Sequence, residues 1–172
     1  MTSNLVRSLL KVRGIQSFNG PMRAYSVMYT ANCTATGGRD GRAVCDDKPA
    51  HLDVKLVKPK ELGGSGGEGT NPEELFAAGY SACFLGAMGL AAKNLKKNLP
   101  SSTSVKAAVN LGKHDNGNLG LKVQLTAKLP GATQADADAI VKAAHQICPY
   151  SRKRVFFPRK LIRKYLYFRC NT

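Results

Sequence analysis

The longest apolar pattern in the chain covers residues 71–95, NPEELFAAGYSACFLGAMGLAAKNL. From Leu75 to Ala92 no residue is charged, and apolar positions fall on every side of a helical wheel, which marks a helix buried over most of its surface. The ends are also written in the sequence. Asn71 suits an N-cap and Pro72 the first helical position. Glu73 and Glu74 sit where the helix dipole favours anions, and Lys93, Lys96 and Lys97 where it favours cations. The charged ends, together with many small residues and the internal Gly79 and Gly86, predict a core helix that lets neighbours approach closely, not a membrane span. Cys83 lies in its middle, where a thiol is either inert packing or a reactive centre.

On both sides of this helix the period shortens to two. Residues 27–36 (VMYTANCTAT) alternate, with Tyr29, Ala31, Cys33 and Ala35 on one face, as a strand does. GGRDG (37–41) is a turn, Arg42–Cys45 a second short strand, and residues 51–58 a third, with Leu52, Val54 and Leu56 on one side; the three predict an antiparallel meander. The glycine-rich residues 61–70 lack the Lys-Ser/Thr pair that ends a phosphate-binding loop and do not follow a strand directly, so they predict a flexible connection. Ser104–Lys113 and Leu119–Lys128 read as strands joined by the Asp-Asn-Gly-Asn turn at 115–118. Residues 133–148 form a second helix, with Thr133 as N-cap, an apolar stripe of Ile140, Ala143, Ala144 and Ile147, and Pro149 as its stop. The order β-β-β-α-β-β-α is an α+β plan, helices packed on an antiparallel sheet.

Charge changes the picture less than its total suggests. The 172 residues carry a formal net charge of +15, a value that invites a nucleic-acid reading. Twelve of the 26 basic residues, however, lie in residues 1–25 and 151–172, which contain no acidic residue; the rest of the chain is only about +3. A nucleic-acid partner would rest on the termini alone. The five cysteines at 33, 45, 83, 148 and 170 make no C-x-x-C pair, which disfavours a zinc site, and their odd number and wide spacing do not match a secreted disulfide scaffold. A reducing compartment with one or two working thiols is expected. Residues 1–25 are basic, free of acids and serine-containing, with Leu5, Val6, Leu9, Leu10 and Val12 clustered on one side of a helix although Arg13 intrudes. That is the pattern of a mitochondrial presequence, cut after Tyr25, and predicts a matrix location.

Four segments together carry a family resemblance: ATGGRDGRAV (35–44), LGGSGGEGTNPEELFAAGYSACF (62–84), LGLKVQLTAKLPG (119–131) and AAHQICPYS (143–151). Residues 26–151 closely resemble the organic hydroperoxide resistance (Ohr) branch of the OsmC/Ohr family. The resemblance implies an OsmC/Ohr-like fold with an antiparallel sheet packed on a long central helix, an intertwined homodimer, and a thiol-dependent peroxidase that reduces organic hydroperoxides to alcohols in response to oxidative stress without a cofactor. It implies Cys83 as the peroxidatic cysteine, Cys148 as the resolving cysteine, Arg39 as the active-site arginine and Glu73 as its carboxylate partner. The implied reductant is a lipoylated protein or another dithiol. A guanidinium beside Cys83 would favour the thiolate, while burial would oppose it. Ten residues of straight helix separate Glu73 from Cys83 by about 15 Å, so a shared site requires either a bend near Gly79 or a partner chain, and the second is expected.

Other residues are read more plainly. His145 is expected to be structural, and Cys33, Cys45 and Cys170 to be packing or incidental. Phe76, Tyr80, Phe84 and Tyr150 are expected in the core, some of them as lining for an apolar substrate. After Ser151 the family's usual ending is replaced by RKRVFFPRKLIRKYLYFRCNT. Residues 152–172 are therefore a divergent basic tail. An altered reading frame is the favoured reading, beside a membrane-surface helix and a substitute strand over residues 165–170. The competing functional classes are a peroxidase of the broader OsmC type, a non-catalytic thiol redox sensor, and a family relic inactivated by its altered C-terminus.

Overall fold

The computed structural model describes residues 26–46 and 51–151, and the backbone of 166–170. The chain forms two units, Met1–Ala31 and Asn32–Thr172. In the first, the described residues 26–31 carry no regular structure. The second holds every described element: β1 (Cys33–Thr36), a single 3-10 turn (Gly38–Asp40), β2 (Arg42–Cys45), β3 (Leu52–Lys55), a second 3-10 turn (Lys60–Leu62), α1 (Pro72–Asn94), β4 (Ser104–Lys113), β5 (Leu119–Lys128), α2 (Gln134–Ile147) and β6 (Leu166–Cys170).

The strands make two sheets, β1-β2-β3 and β4-β5-β6. In the first, β1 and β2 pair antiparallel with Cys33 opposite Cys45 and Thr36 opposite Arg42. Among the described residues the strand expected over residues 27–36 is shorter than predicted: β1 covers Cys33–Thr36, the stretch that pairs with β2. The hairpin tip needs glycine at position 41, where a Cβ would lie 1.8 Å from the Thr36 carbonyl oxygen. Leu56 N–H donates to Gly41 O and Lys58 N–H to Asp40 Oδ1, each at 2.8 Å, tying the tip to the segment after β3. That segment in turn meets the approach to α1, through Val57 N–H to Thr70 O and Thr70 N–H to Lys55 O.

The second sheet meets the predicted bounds of β4 and β5 residue for residue. Alternation places Val105, Ala107 and Val109 opposite Ala127, Leu125 and Val123, and this one face packs on the helices. The turn between them has Gly117 in the left-handed region, its N–H donating to His114 O. The backbone of β6 pairs in parallel with β5, Leu166 opposite Val123 and Cys170 opposite Ala127. The backbone over 166–170 is a strand, as the substitute-strand reading of the tail expects, and not a membrane-surface helix. Residues 152–165 and the side chains of β6 lie outside the described residues, as do residues 1–25, on which the presequence reading falls.

Helix α1 begins as its sequence predicts: the Asn71 side chain accepts from Glu74 N–H at 2.9 Å, and Pro72 occupies the first turn. By length and apolarity alone α1 could cross a membrane; in the fold it is the central core element. Tyr80, Phe84, Met88 and Ala91 on α1 pack with Ile140 and Ala144 on α2 and with Leu125 on β5, all of them buried. Each large apolar side chain buried in this way contributes about 1.5–3 kcal/mol. Thr133 caps α2 by accepting from Asp136 N–H, and a Lys97–Asp136 ion pair joins the end of α1 to the start of α2.

Candidate active site

Cys83 lies on α1, half-buried, and Cys148 caps the C-terminus of α2, fully buried. Packing of α1 on α2 brings the two sulfurs to 3.4 Å, although 65 residues separate them in sequence. The local causes are legible. Cys148 N–H still donates to Ala144 O at 2.8 Å, while its φ and ψ are already extended as the chain turns toward Pro149. The turn that follows is closed by Ser151 N–H donating to Cys148 O and is fixed to α1 by a buried hydrogen bond between Tyr80 Oη and Ser151 Oγ, 2.9 Å. Phe76, Tyr80 and Tyr150 form a cluster of rings with centroids 5.7–6.1 Å apart. The Tyr150 ring rests over Gly79, where a Cβ would sit 3.6 Å from it. Tyr80 and Phe84 are in the core as expected, and Tyr150 is half-exposed beside the thiols.

Burial pushes the Cys83 thiol above its ordinary value of 9.0, and its hydrogen bond with Cys148 adds to the rise; the backbone of Tyr150 opposes it. Arg39 is not among the groups acting on this sulfur. It is paired elsewhere: Nη1 and Nη2 donate to Glu73 Oε2 and Oε1 at 2.8 and 2.7 Å, a bidentate contact. This hydrogen bond holds the Glu73 carboxyl below its ordinary 4.5. The fold thus brings together the expected members two by two, Cys83 with Cys148 and Arg39 with Glu73. α1 runs continuously from Pro72 to Asn94, so within one protomer Glu73 and Cys83 lie about 15 Å apart along the helix axis.

His145, on the same helix as Cys148, is half-buried, and burial lowers its pKa. Among the described residues no group of three or more His, Cys, Asp or Glu could hold a metal ion. An open cavity of about 270 Å³ lined by Val57, Pro59, Lys60, Glu61, Asn71 and Glu74 among others contains neither thiol. The expectation that Cys33 and Cys45 are packing or incidental is corrected: they form a disulfide across β1 and β2. Their symmetry about the turn, six residues on either side of Arg39, is the signal that pairs them. The Tyr80–Ser151 bond carries no such signal.

A model of the OsmC-like protein family matches residues 64–153. Over 125 residues the chain is 53% identical to the organic hydroperoxide resistance protein of Xanthomonas axonopodis pv. citri, covering 73% of this chain and 86% of that one. The crystal structure of an organic hydroperoxide resistance protein from Legionella pneumophila is similar with a TM-score of 0.69 and 37% identity, over 84% of this chain and 97% of the other. That of OhrB from Bacillus subtilis has a TM-score of 0.67 and 34% identity, over 84% and 98%. These relatives are bacterial proteins, and that finding overturns the expected mitochondrial location. The fold, the matched segment and the level of identity agree, and the chain belongs to the OsmC-like family, in its organic hydroperoxide resistance branch.

Proposed function

We propose that this protein is a cysteine-based peroxidase that reduces organic hydroperoxides to alcohols. The observation that carries the reading is the 3.4 Å approach of Cys83 Sγ to Cys148 Sγ at a junction of two helices. The Cys83 thiolate attacks the terminal oxygen of the hydroperoxide; the O–O bond breaks, the alkoxide takes a proton and leaves as alcohol, and Cys83 becomes a sulfenic acid. Cys148 gives up its proton and its sulfur attacks that of the sulfenic acid; the S–O bond breaks and the departing hydroxide takes the proton to leave as water, closing a disulfide before further oxidation. The sulfurs need only draw in to about 2.05 Å. A dithiol, such as a lipoyl group on a protein, restores both thiols by exchange and leaves as its own disulfide. The Phe76, Tyr80 and Tyr150 rings would give an apolar organic chain a surface to lie on.

The raised Cys83 thiol calls for a cation, and among the described residues of its own chain none acts on it. In this reading the working form is a homodimer in which the partner subunit's Arg39 reaches Cys83. Support comes from α1: Ala78, Ala82, Gly86 and Leu90, spaced four apart and so on one face, are all exposed, with open space around Gly86. An apolar helix face of this kind is the sort of surface a second subunit covers.

The test is hydroperoxide consumption with dihydrolipoamide as reductant. Cys83→Ser is expected to abolish it, by about a thousandfold or more. Cys148→Ser is expected to consume about one equivalent and then stop, with the sulfenic acid trapped by dimedone. Peroxide-treated, folded protein in which mass spectrometry finds no Cys83–Cys148 linkage would refute the mechanism.

A further inference from the structure

The Cys33–Cys45 disulfide has no part in the chemistry above, yet its position is specific. Cys33 opens β1, Cys45 closes β2, and the two are directly opposed in the ladder. They bolt the open end of a hairpin whose far end carries Arg39. β1 is an edge strand with all four residues exposed, and no residue of the hairpin joins the core cluster. β2 is held to β3 by a four-residue ladder and the Arg42–Asp53 ion pair; β1 and the turn are held by the four-residue ladder to β2, by the tip hydrogen bonds to Asp40 and Gly41, by the Arg39–Glu73 pair and by the disulfide. Opening a cross-link in so small and exposed an element returns chain freedom to it. A disulfide on an exposed edge is also within reach of an incoming thiolate, whereas a bond sealed in the core is not.

The geometry points to a second redox centre: Cys33–Cys45 is a reversible disulfide, opened by an external dithiol, whose state sets how firmly the hairpin holds Arg39 on Glu73. One thiolate of the dithiol attacks Cys33 Sγ, the more exposed sulfur. The protein S–S bond breaks, and Cys45 leaves as a thiolate and is protonated. The second thiol of the reagent attacks the mixed disulfide, frees Cys33 as a thiol and departs as a cyclic disulfide. Two electrons and two protons pass from the dithiol to the protein, and an excess of the cyclic disulfide drives the same exchange backward. The class of reductant that resets Cys83 and Cys148 would thus also loosen the arginine. This last consequence rests on the function proposed above; the response of the hairpin does not.

The experiment equilibrates the full chain with dihydrolipoamide and lipoamide at a series of ratios. Thiol alkylation with peptide mass spectrometry reads each cysteine pair, and amide hydrogen exchange reads residues 33–45. The expected result is that Cys33–Cys45 opens with the core still protected and that exchange across the hairpin quickens about tenfold. The Cys33→Ser/Cys45→Ser double variant should show the fast exchange at every ratio, and its single-turnover oxidation by cumene hydroperoxide should be slower by about five- to tenfold. A bond that stays closed at every ratio, or a hairpin that exchanges equally fast open and closed, overturns the inference even if hydroperoxide is consumed. A hairpin that responds in a protein that consumes no hydroperoxide supports this redox centre and sinks the peroxidase reading instead.

Discussion

Cys83 and Cys148 stand on two helices packed through Phe84, Met88, Ile140 and Ala144, none of which touches solvent. Arg39 stands on a hairpin of two four-residue strands, none of whose residues is buried. The sulfurs are positioned by hydrophobic packing, which is dense and tolerates little displacement. The arginine is positioned by hydrogen bonds, one carboxylate and a covalent staple, each of which can be released separately. In the proposed function this difference would give the two regions different duties: a pair of electron donors on a fixed scaffold, and a cation whose approach can be adjusted.

The comparison can be broken hardest at the core. Phe84→Ala is expected to cost about 3–5 kcal/mol, read as a lower urea midpoint, and to slow formation of the Cys83–Cys148 linkage because α1 and α2 lose their shared contact. Glu73→Gln should do the reverse. It should leave the urea midpoint within about 1 kcal/mol of wild type while slowing hydroperoxide reduction by about ten- to a hundredfold. Mixing Glu73→Gln subunits with Cys83→Ser subunits, each inactive or slow alone, should restore activity if an intact arginine–glutamate pair on one subunit serves the thiol of the other. No recovery in verified mixed dimers would place the whole site within one chain.

Protons sharpen the same contrast. Arg39 holds the Glu73 carboxyl below its ordinary 4.5, so the folded state binds that proton less tightly than the unfolded chain. The stabilisation from this pair is complete above pH 4.5 and is lost as pH falls through the depressed folded value. Acid titration followed by hydrogen exchange should therefore loosen the hairpin before the core. Cys83 has the opposite sign: its folded value is raised above 9.0, so its contribution is complete below that value and is lost as pH rises through the folded one. Alkylation of a monomeric variant should accelerate only in that alkaline range, and dimer formation should shift the profile downward. The smallest effect is expected from Tyr80→Phe, which keeps the ring and removes the hydrogen bond to Ser151, at about 1 kcal/mol.

Much of the core region was legible in the sequence because its signals are local. The cap at Asn71, the alternation of β4 and β5 and the stop at Pro149 each depend on neighbours a few residues away, and those elements fell where their residues put them. The thiols and the arginine–glutamate pair were found through segment resemblance, and their meeting within each pair follows from tertiary packing. The hairpin region was read less well. Residues 27–32 alternate as a strand should, but a strand is set by its ladder, and the described ladder with β2 begins at Cys33. Cys33 and Cys45 looked idle because each was read alone; their equal spacing from Arg39 is a signal only once the turn is taken as the tip of a hairpin, whose ladder sets them face to face. The mitochondrial address rested on the composition of residues 1–25 alone, and the relatives named above, which are bacterial proteins, overturn it.

Cys148 sits between two rigid pieces. Upstream, its N–H remains in the last turn of α2; downstream, Ser151 clamps the chain to Tyr80. In the proposed mechanism the residue would work as a swivel between them, its sulfur travelling the remaining distance toward Cys83 by rotation about its own bonds, with no turn of helix unwound. A cysteine placed one turn earlier would have to drag the helix with it. The same joint lets the sulfur swing back when the bond is reopened, so that each catalytic round would begin from an unaltered scaffold.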